Sequence, residues 1–145
     1  MSLPYENATS GASARAEATK ILRRFGCDQI GFMDDFATHT IMLQFRWRGH
    51  PVEFRVSAGG WAALYLKANP WNSRRRGTAA QWERAALEKG LLAADSIIRD
   101  WVKGNVTAVE SGALSFGHVF AAYLLDGNGR PLIGAEAVKL LEDRS

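Results

Sequence analysis

The chain has 145 residues, 47% of them hydrophobic and 10% aromatic, which suffices for one proper core and excludes a disordered tail. The lone cysteine, Cys27, excludes an internal disulfide framework and a cysteine-based zinc site. A net charge of +3 is too small on its own to indicate a polyanion partner. No apolar run approaches the roughly 18 residues of a membrane span, and the N-terminus lacks an apolar signal segment. These features predict a soluble, cytoplasmic protein with no membrane partner, in which the sequons at Asn7 and Asn105 carry no glycan.

Residues 1–10 read as a flexible leader, and residues 11–145 as a single α+β domain. From Ser13 to Phe25, the positions Ala14, Ala18, Ile21, Leu22 and Phe25 form the stripe of an amphipathic helix that Gly26 can end. "DQIGFMD" is strand-like, with Ile30 and Phe32 on one side and a turn at Asp34 and Asp35. In "HTIMLQFRWRG", Ile41, Leu43, Phe45 and Trp47 alternate with polar or flexible neighbours, the period of a half-buried antiparallel strand. "PVEFRVS" repeats it with Val52, Phe54 and Val56, and Gly49 marks the link of a hairpin. The opposite face of that hairpin would carry Arg46, Arg48 and Arg55, with Glu53 its only acid.

A short helix is predicted from Trp61 to Ala68, closed by Pro70. At Thr78, with Gln81 three residues later, a capping box starts a long helix that runs to about Ser111 and Gly112. Its apolar face includes Trp82, Ala86, Ala93, Ile97, Ile98 and Trp101. Gly90 and Gly104 each weaken it by about 1 kcal/mol, with a bend expected near Gly104. Ser115 can cap a further helix over "FGHVFAAYLL". "DGNGRP" is a turn, and the tail "LIGAEAVKLLEDRS" reads as a strand followed by a short helix. The predicted fold is α+β: an N-terminal helix, a three-stranded antiparallel meander, and a mainly helical C-terminal half with one long helix.

Charge is concentrated in one place. Six basic residues stand against two acidic ones between Lys67 and Lys89, and the rest of the chain is slightly acidic. Within that segment, "NPWNSRRRGT" sets Arg74, Arg75 and Arg76 after Trp71 and just before a helix N-terminus, where unpaired amides and the helix dipole favour an anion. Arginines beside an exposed tryptophan are the combination that binds single-stranded nucleic acid. A solvated loop with Trp71 turned into the core fits the same residues. Arg46, Arg48 and Arg55 on the open sheet face add weight to the nucleic-acid reading.

Other chemistry is poorly supported. Asp34 or Asp35 with Glu53 and Arg55 imitates the strand-borne site of metal-dependent nucleases. An arginine cannot serve as the base there, because its pKa stays above about 12, and a cross-strand Glu53 to arginine pair explains the same residues. His39, His50 and His118 lack metal-ligand spacing. Ser57, Ser111 and Ser115 read as strand-end and capping residues, and Gly59-Gly60 and Gly127 to Gly129 lack phosphate-loop spacing. We assign no catalytic, metal or cofactor residues.

The segment from Asp28 to Ile133 resembles a group of small phage and prophage proteins. The similarity rests on Val109-Glu110-Ser111-Gly112, Phe116, Phe120, Leu124, Leu125 and Asp126-Gly127, together with the hairpin "TIMLQFRWRGHPVEFRV". It implies a phage-encoded accessory protein acting in a bacterial cytoplasm on DNA or on a host protein, and says little about activity. Double-stranded RNA-binding domains and phage annealing proteins share the strand order only. Three expectations follow: binding of DNA through Trp71, Arg74, Arg75, Arg76, Arg46, Arg48 and Arg55; a protein-interaction module anchored by Trp61, Tyr65 or Trp71 that modulates a host or phage enzyme; or a nuclease at Asp35 and Glu53. The sequence gives no oligomeric state.

Overall fold

The computed structural model of the chain describes residues 2–132. It runs α1 (Gly11–Phe25), β1 (Cys27–Asp35), β2 (Thr40–Trp47), β3 (His50–Ser57), α2 (Ala58–Ala68), α3 (Ala79–Glu110) and α4 (Phe116–Phe120), with a 3-10 turn at Ala121–Tyr123. The expected α+β order is present: helix, antiparallel meander β1-β2-β3, then helices dominated by α3. The strand and helix expected of the tail from residue 133 on lie outside the described residues.

Alternation at period two builds the sheet. Ile41 lies opposite Val56, Leu43 opposite Phe54 and Phe45 opposite Val52, while Phe32 and Ile30 pair with Leu43 and Phe45 from the other side. These residues share the face that packs on the helices. The β2–β3 link is a two-residue turn with Arg48 at φ 48° and Gly49 at φ 81°, the left-handed pair that matches the twist of a tight hairpin. One irregularity interrupts the β1–β2 register, between Cys27 and Gln29.

The helices organise around α3. Thr78 and Gln81 form the expected capping box, and the helix continues unbroken through both Gly90 and Gly104. Gly90 has a packing role: a Cβ there would lie 2.5 Å from the Ala58 carbonyl oxygen. The N-terminus of α2 therefore rests directly on the α3 backbone, and Tyr65, further along α2, meets Trp82 with ring centroids 6.1 Å apart. The two helices are antiparallel. On the C-terminal half of α3, α1 runs parallel, from Gly11 beside Asp95 to Arg24 beside Glu110.

Three boundaries differ from the sequence reading. α1 begins at Gly11 because Ser10 accepts the amide hydrogen bond of Ser13. α2 begins at Ala58 rather than Trp61, because Ser57 caps Gly60 and draws both glycines into the first turn. The ten-residue helix expected over "FGHVFAAYLL" stops early. Its chain leaves the helix at Leu124, which bridges to Val52 at the edge of β3, while Leu125 donates its amide to the Pro51 carbonyl at 2.9 Å. The reason is the open edge of β3, whose backbone groups need partners.

Leu22, Ile41, Leu43, Val52, Ile98, Val102, Val106, Phe120 and Leu124 fill the main core. Trp101 stacks on Phe54 at 3.9 Å between centroids, and Trp47 on Phe116 at 4.0 Å. A second cluster, Trp61, Ala62, Tyr65, Ala86 and Ala93, lies between α2 and α3. Leu3 and Tyr5, within the segment expected as a leader, pack against that cluster. Trp61 Nε1 donates to the Pro4 carbonyl at 3.1 Å, and the Tyr5 hydroxyl donates to Asp100 at 2.8 Å.

One ionic cluster ties three elements together. Arg15 of α1 donates to Asp34 of β1 and, at 2.7 Å, to Asp95 of α3, which is only 6% exposed. Burial pushes the Asp95 carboxyl above its usual range, more than the hydrogen bond from Arg15 lowers it. The Arg15 guanidinium is held charged chiefly by Asp34. Asp95, the more buried partner, bears most of the desolvation cost of the pair.

Two outcomes are expected in urea denaturation. Gly90→Ala should lower stability by about 1–3 kcal/mol through overpacking against Ala58, whereas Gly104→Ala, with nothing within 4 Å of the new Cβ, should raise it by up to about 1 kcal/mol. Arg15→Met should cost about 3 kcal/mol at neutral pH by stranding a buried carboxylate. That deficit should shrink as pH falls through the raised pKa of Asp95. An acid whose folded pKa lies above its unfolded value gains stability below it and loses stability as pH rises through it. A deficit independent of pH would contradict the assignment.

Candidate nucleic-acid interface

The link between α2 and α3, residues 69–78, is pinned from below by Trp82. The Trp82 Nε1 donates to the Asn69 carbonyl at 2.8 Å. The Arg75 guanidinium lies 4.2 Å from the Trp82 ring centroid, and its Nε donates to the Pro70 carbonyl at 3.0 Å. Asn72 closes the bend, its Oδ1 accepting from the Arg74 amide and its carbonyl from the Arg75 amide, both at 3.0 Å. Arg75 is thus half-buried and spends its Nε–H and its π-facing surface inside the loop. Such a cation–π contact is worth about 0.5–2 kcal/mol, depending on desolvation.

Its neighbours point elsewhere. Arg74 and Arg76 are exposed, and neither has a side-chain ion pair, ring contact or hydrogen bond among the described residues. Trp71 is 39% exposed and likewise has no ring, hydrogen-bond or cation partner among the described residues. The other tryptophans are all engaged: Trp47 with Phe116, Trp61 with Tyr65, Trp82 with Arg75, Trp101 with Phe54. Lys67 and Arg84 flank the loop, also without ion pairs among the described residues. The positive charge gathered here in the sequence therefore remains largely uncompensated.

The sheet arginines are in a different condition. Asp28, displaced by the irregularity at the start of β1, receives two hydrogen bonds from Arg46 at 3.0 and 2.6 Å, and Arg46 holds its carboxyl below the usual range. Arg55 donates to Glu53 at 3.0 Å, and the Arg48 guanidinium lies 4.4 Å from the Trp47 ring centroid. The face expected to be arginine-rich alternates in sign, with Asp28, Asp35 and Glu53 among Arg46 and Arg55. The structure does not join it to the loop: α2, eleven residues long, rises roughly 16 Å between the end of β3 and the loop.

The nuclease arrangement dissolves on inspection. Asp35 Oδ1 accepts the Ala37 and Thr38 amides at 2.9 and 3.2 Å, so it builds the β1–β2 turn. Burial would raise the Glu53 carboxyl, but hydrogen bonds from Arg55 and Gln44 leave it below its usual range. Among the described residues no three His, Cys, Asp or Glu side chains gather as a metal site. Burial pushes the Cys27 thiol up to about 12, which leaves it inert at neutral pH. His50 is buried beside Phe116, and His118 Nδ1 sits 2.6 Å from the Ser115 hydroxyl that caps α4.

Of the three aromatic anchors expected for a protein partner, Trp61 and Tyr65 are buried and stacked on each other, which removes them from any surface. Only Trp71 is open. Among the described residues the other exposed large apolar side chains are Leu64, which the helix pattern offered for burial with Trp61 and Tyr65, Leu114, and the pair Met33 and Phe36, 60% and 74% exposed at the β1–β2 end of the sheet. The signal for Met33 was present, since it falls out of phase with Ile30 and Phe32.

The chain matches no protein-family model, no curated protein and no solved structure. What the fold and site define is an α+β protein with a braced basic loop between two antiparallel helices.

The division of labour among the arginines can be read in solution. Arg75→Ala should cost about 0.5–2 kcal/mol of stability and open residues 69–78 to limited proteolysis, whereas Arg74→Ala and Arg76→Ala should change neither. Equal effects from all three would contradict the brace.

Proposed function

We propose that this is a non-enzymatic accessory protein of phage type that binds nucleic acid in the bacterial cytoplasm through the α2–α3 loop. One observation carries the reading: an exposed indole, Trp71, stands beside two arginines, Arg74 and Arg76, none of the three with a partner among the described residues, on a loop already ordered by Arg75 and Trp82. Preordering matters because less conformational entropy is lost on binding. Phosphate contacts supply affinity without sequence information. The phage-type assignment draws on the similarity of Asp28 to Ile133 to that group, and the cytoplasmic location follows from it.

Pairing of Arg46 and Arg55 makes the expected electrostatics modest. With Arg74 and Arg76 alone, log K against log salt should have a slope of about −1.4 for a single strand, and about −2.8 if Lys67 and Arg84 join. Fluorescence anisotropy with a labelled oligonucleotide measures this. Removing Arg74 should reduce the slope by about 0.7, while Arg46→Ala and Arg55→Ala should leave it in place. Absence of binding at low salt would overturn the reading.

A second reading, a module that docks on a host or phage protein, is favoured by the exposed Met33 and Phe36. Aromatic and Met side chains are enriched at interface cores. A defined partner retained after nuclease treatment, and lost in Phe36→Ser, would support it over the first.

A further inference from the structure

We infer that the ligand of the loop is an unpaired strand, with one base stacked on Trp71 and the adjoining phosphates held by Arg74 and Arg76; this rests on the nucleic-acid reading above. The inference comes from what the loop presents and what it withholds. Trp71 is 39% exposed with no ring or cation partner among the described residues; it can stack on a base only if that base's own face is free, and inside a duplex every base is covered on both sides. Reading a duplex requires an element that enters a groove, usually a helix or a two-stranded ribbon in the major groove. Here Arg74 and Arg76 sit on neither, because they lie in the turn between α2 and α3, and Arg84, also without an ion pair among the described residues, stands on α3 beyond its first turn.

The nearby structured surfaces do not supply that element. The tight β2–β3 ribbon ends in Arg48, whose guanidinium is spent over Trp47, and its arginines further back are paired with Asp28 and Glu53. The first turn of α3 carries Ala79, Ala80 and Gln81, and the Gln81 side chain closes the capping box on Thr78. It offers no long side chain to a base edge. The second tryptophan of the segment cannot add a stacking platform, because Trp82 is covered by Arg75 on its face and bonded through Nε1 to Asn69. One base is therefore stacked, and the site is tolerant of sequence, since every base has a π-face.

The experiment compares oligothymidylate, oligouridylate and a long blunt DNA duplex at one low salt concentration, using the full chain and reading both anisotropy and tryptophan fluorescence. The expected result is preference for the single strands, with quenching that disappears in Trp71→Ala. That variant should lose about 5- to 100-fold in single-strand affinity and almost none for the duplex, and Trp71→Phe should restore most of the loss. The two single strands differ at the 2′-hydroxyl and at the thymine 5-methyl, so an oligodeoxyuridylate, which shares its base with oligouridylate, isolates the sugar and tells a DNA ligand from an RNA one. Equal binding of strand and duplex, unchanged by Trp71→Ala, overturns the inference while leaving nucleic-acid binding in place. No binding of any probe overturns both.

Discussion

The contact of Gly90 with the Ala58 carbonyl sets how closely α2 sits on the N-terminal part of α3, and the candidate loop depends on that pair. Only a residue without a Cβ lets the start of α2 rest on the α3 backbone, and the resulting antiparallel pair closes the chain between Ala68 and Ala79 into a short, braced turn. A glycine inside a helix costs about 1 kcal/mol relative to alanine. That cost is offset by burial of Trp61, Tyr65 and Ala86 between the helices, each large apolar side chain contributing roughly 1.5–3 kcal/mol. Trp82 then falls beneath Asn69 and Arg75, and the loop acquires its order from that half-buried indole together with its own Asn72 and Arg75.

Within that frame, folding redistributes charge. The chain carries arginines on the sheet and in the loop, but among the described residues Arg46 and Arg55 of the sheet find carboxylates and Arg74, Arg75 and Arg76 of the loop do not. Exposed ion pairs such as Arg46 with Asp28 contribute little to stability because solvent screens them, yet they remove charge that an anion would otherwise meet. Among the described residues Lys20 and Arg23 on α1 also lack ion pairs, and the loop gathers a small uncompensated region of its own: Arg74 and Arg76, flanked by Lys67 and Arg84. Only a ligand whose charge lies within reach of one turn makes use of it, and Trp71 supplies the apolar contact that two arginines alone lack.

Much of the fold was legible because its elements are local. The alternation from Ile41 to Val56, the capping box at Thr78 and the stripe from Ala14 to Leu22 each announce themselves within a few residues. What escaped depends on contacts distant in sequence. The early exit of the chain at Leu124 is dictated by the open edge of β3, about 70 residues away. The candidate site was half legible. Trp82 was readable as a core residue from its place on the α3 stripe, and the arginine run was plain. That Arg75 faces inward while Arg74 and Arg76 face out follows from the Trp82 ring, and that Arg46 is neutralised follows from a shift in register that brings Asp28 to it. Alternation alone places Asp28 out of its reach.

The most direct test is amide hydrogen exchange of the full chain, free and with saturating oligothymidylate. The loop should already exchange slowly near Arg75 in the free protein, and binding should add protection across residues 69–78 alone. Protection that appears instead along β2 and β3, or at the Met33 to Phe36 end of the sheet, would contradict a braced loop as the binding surface.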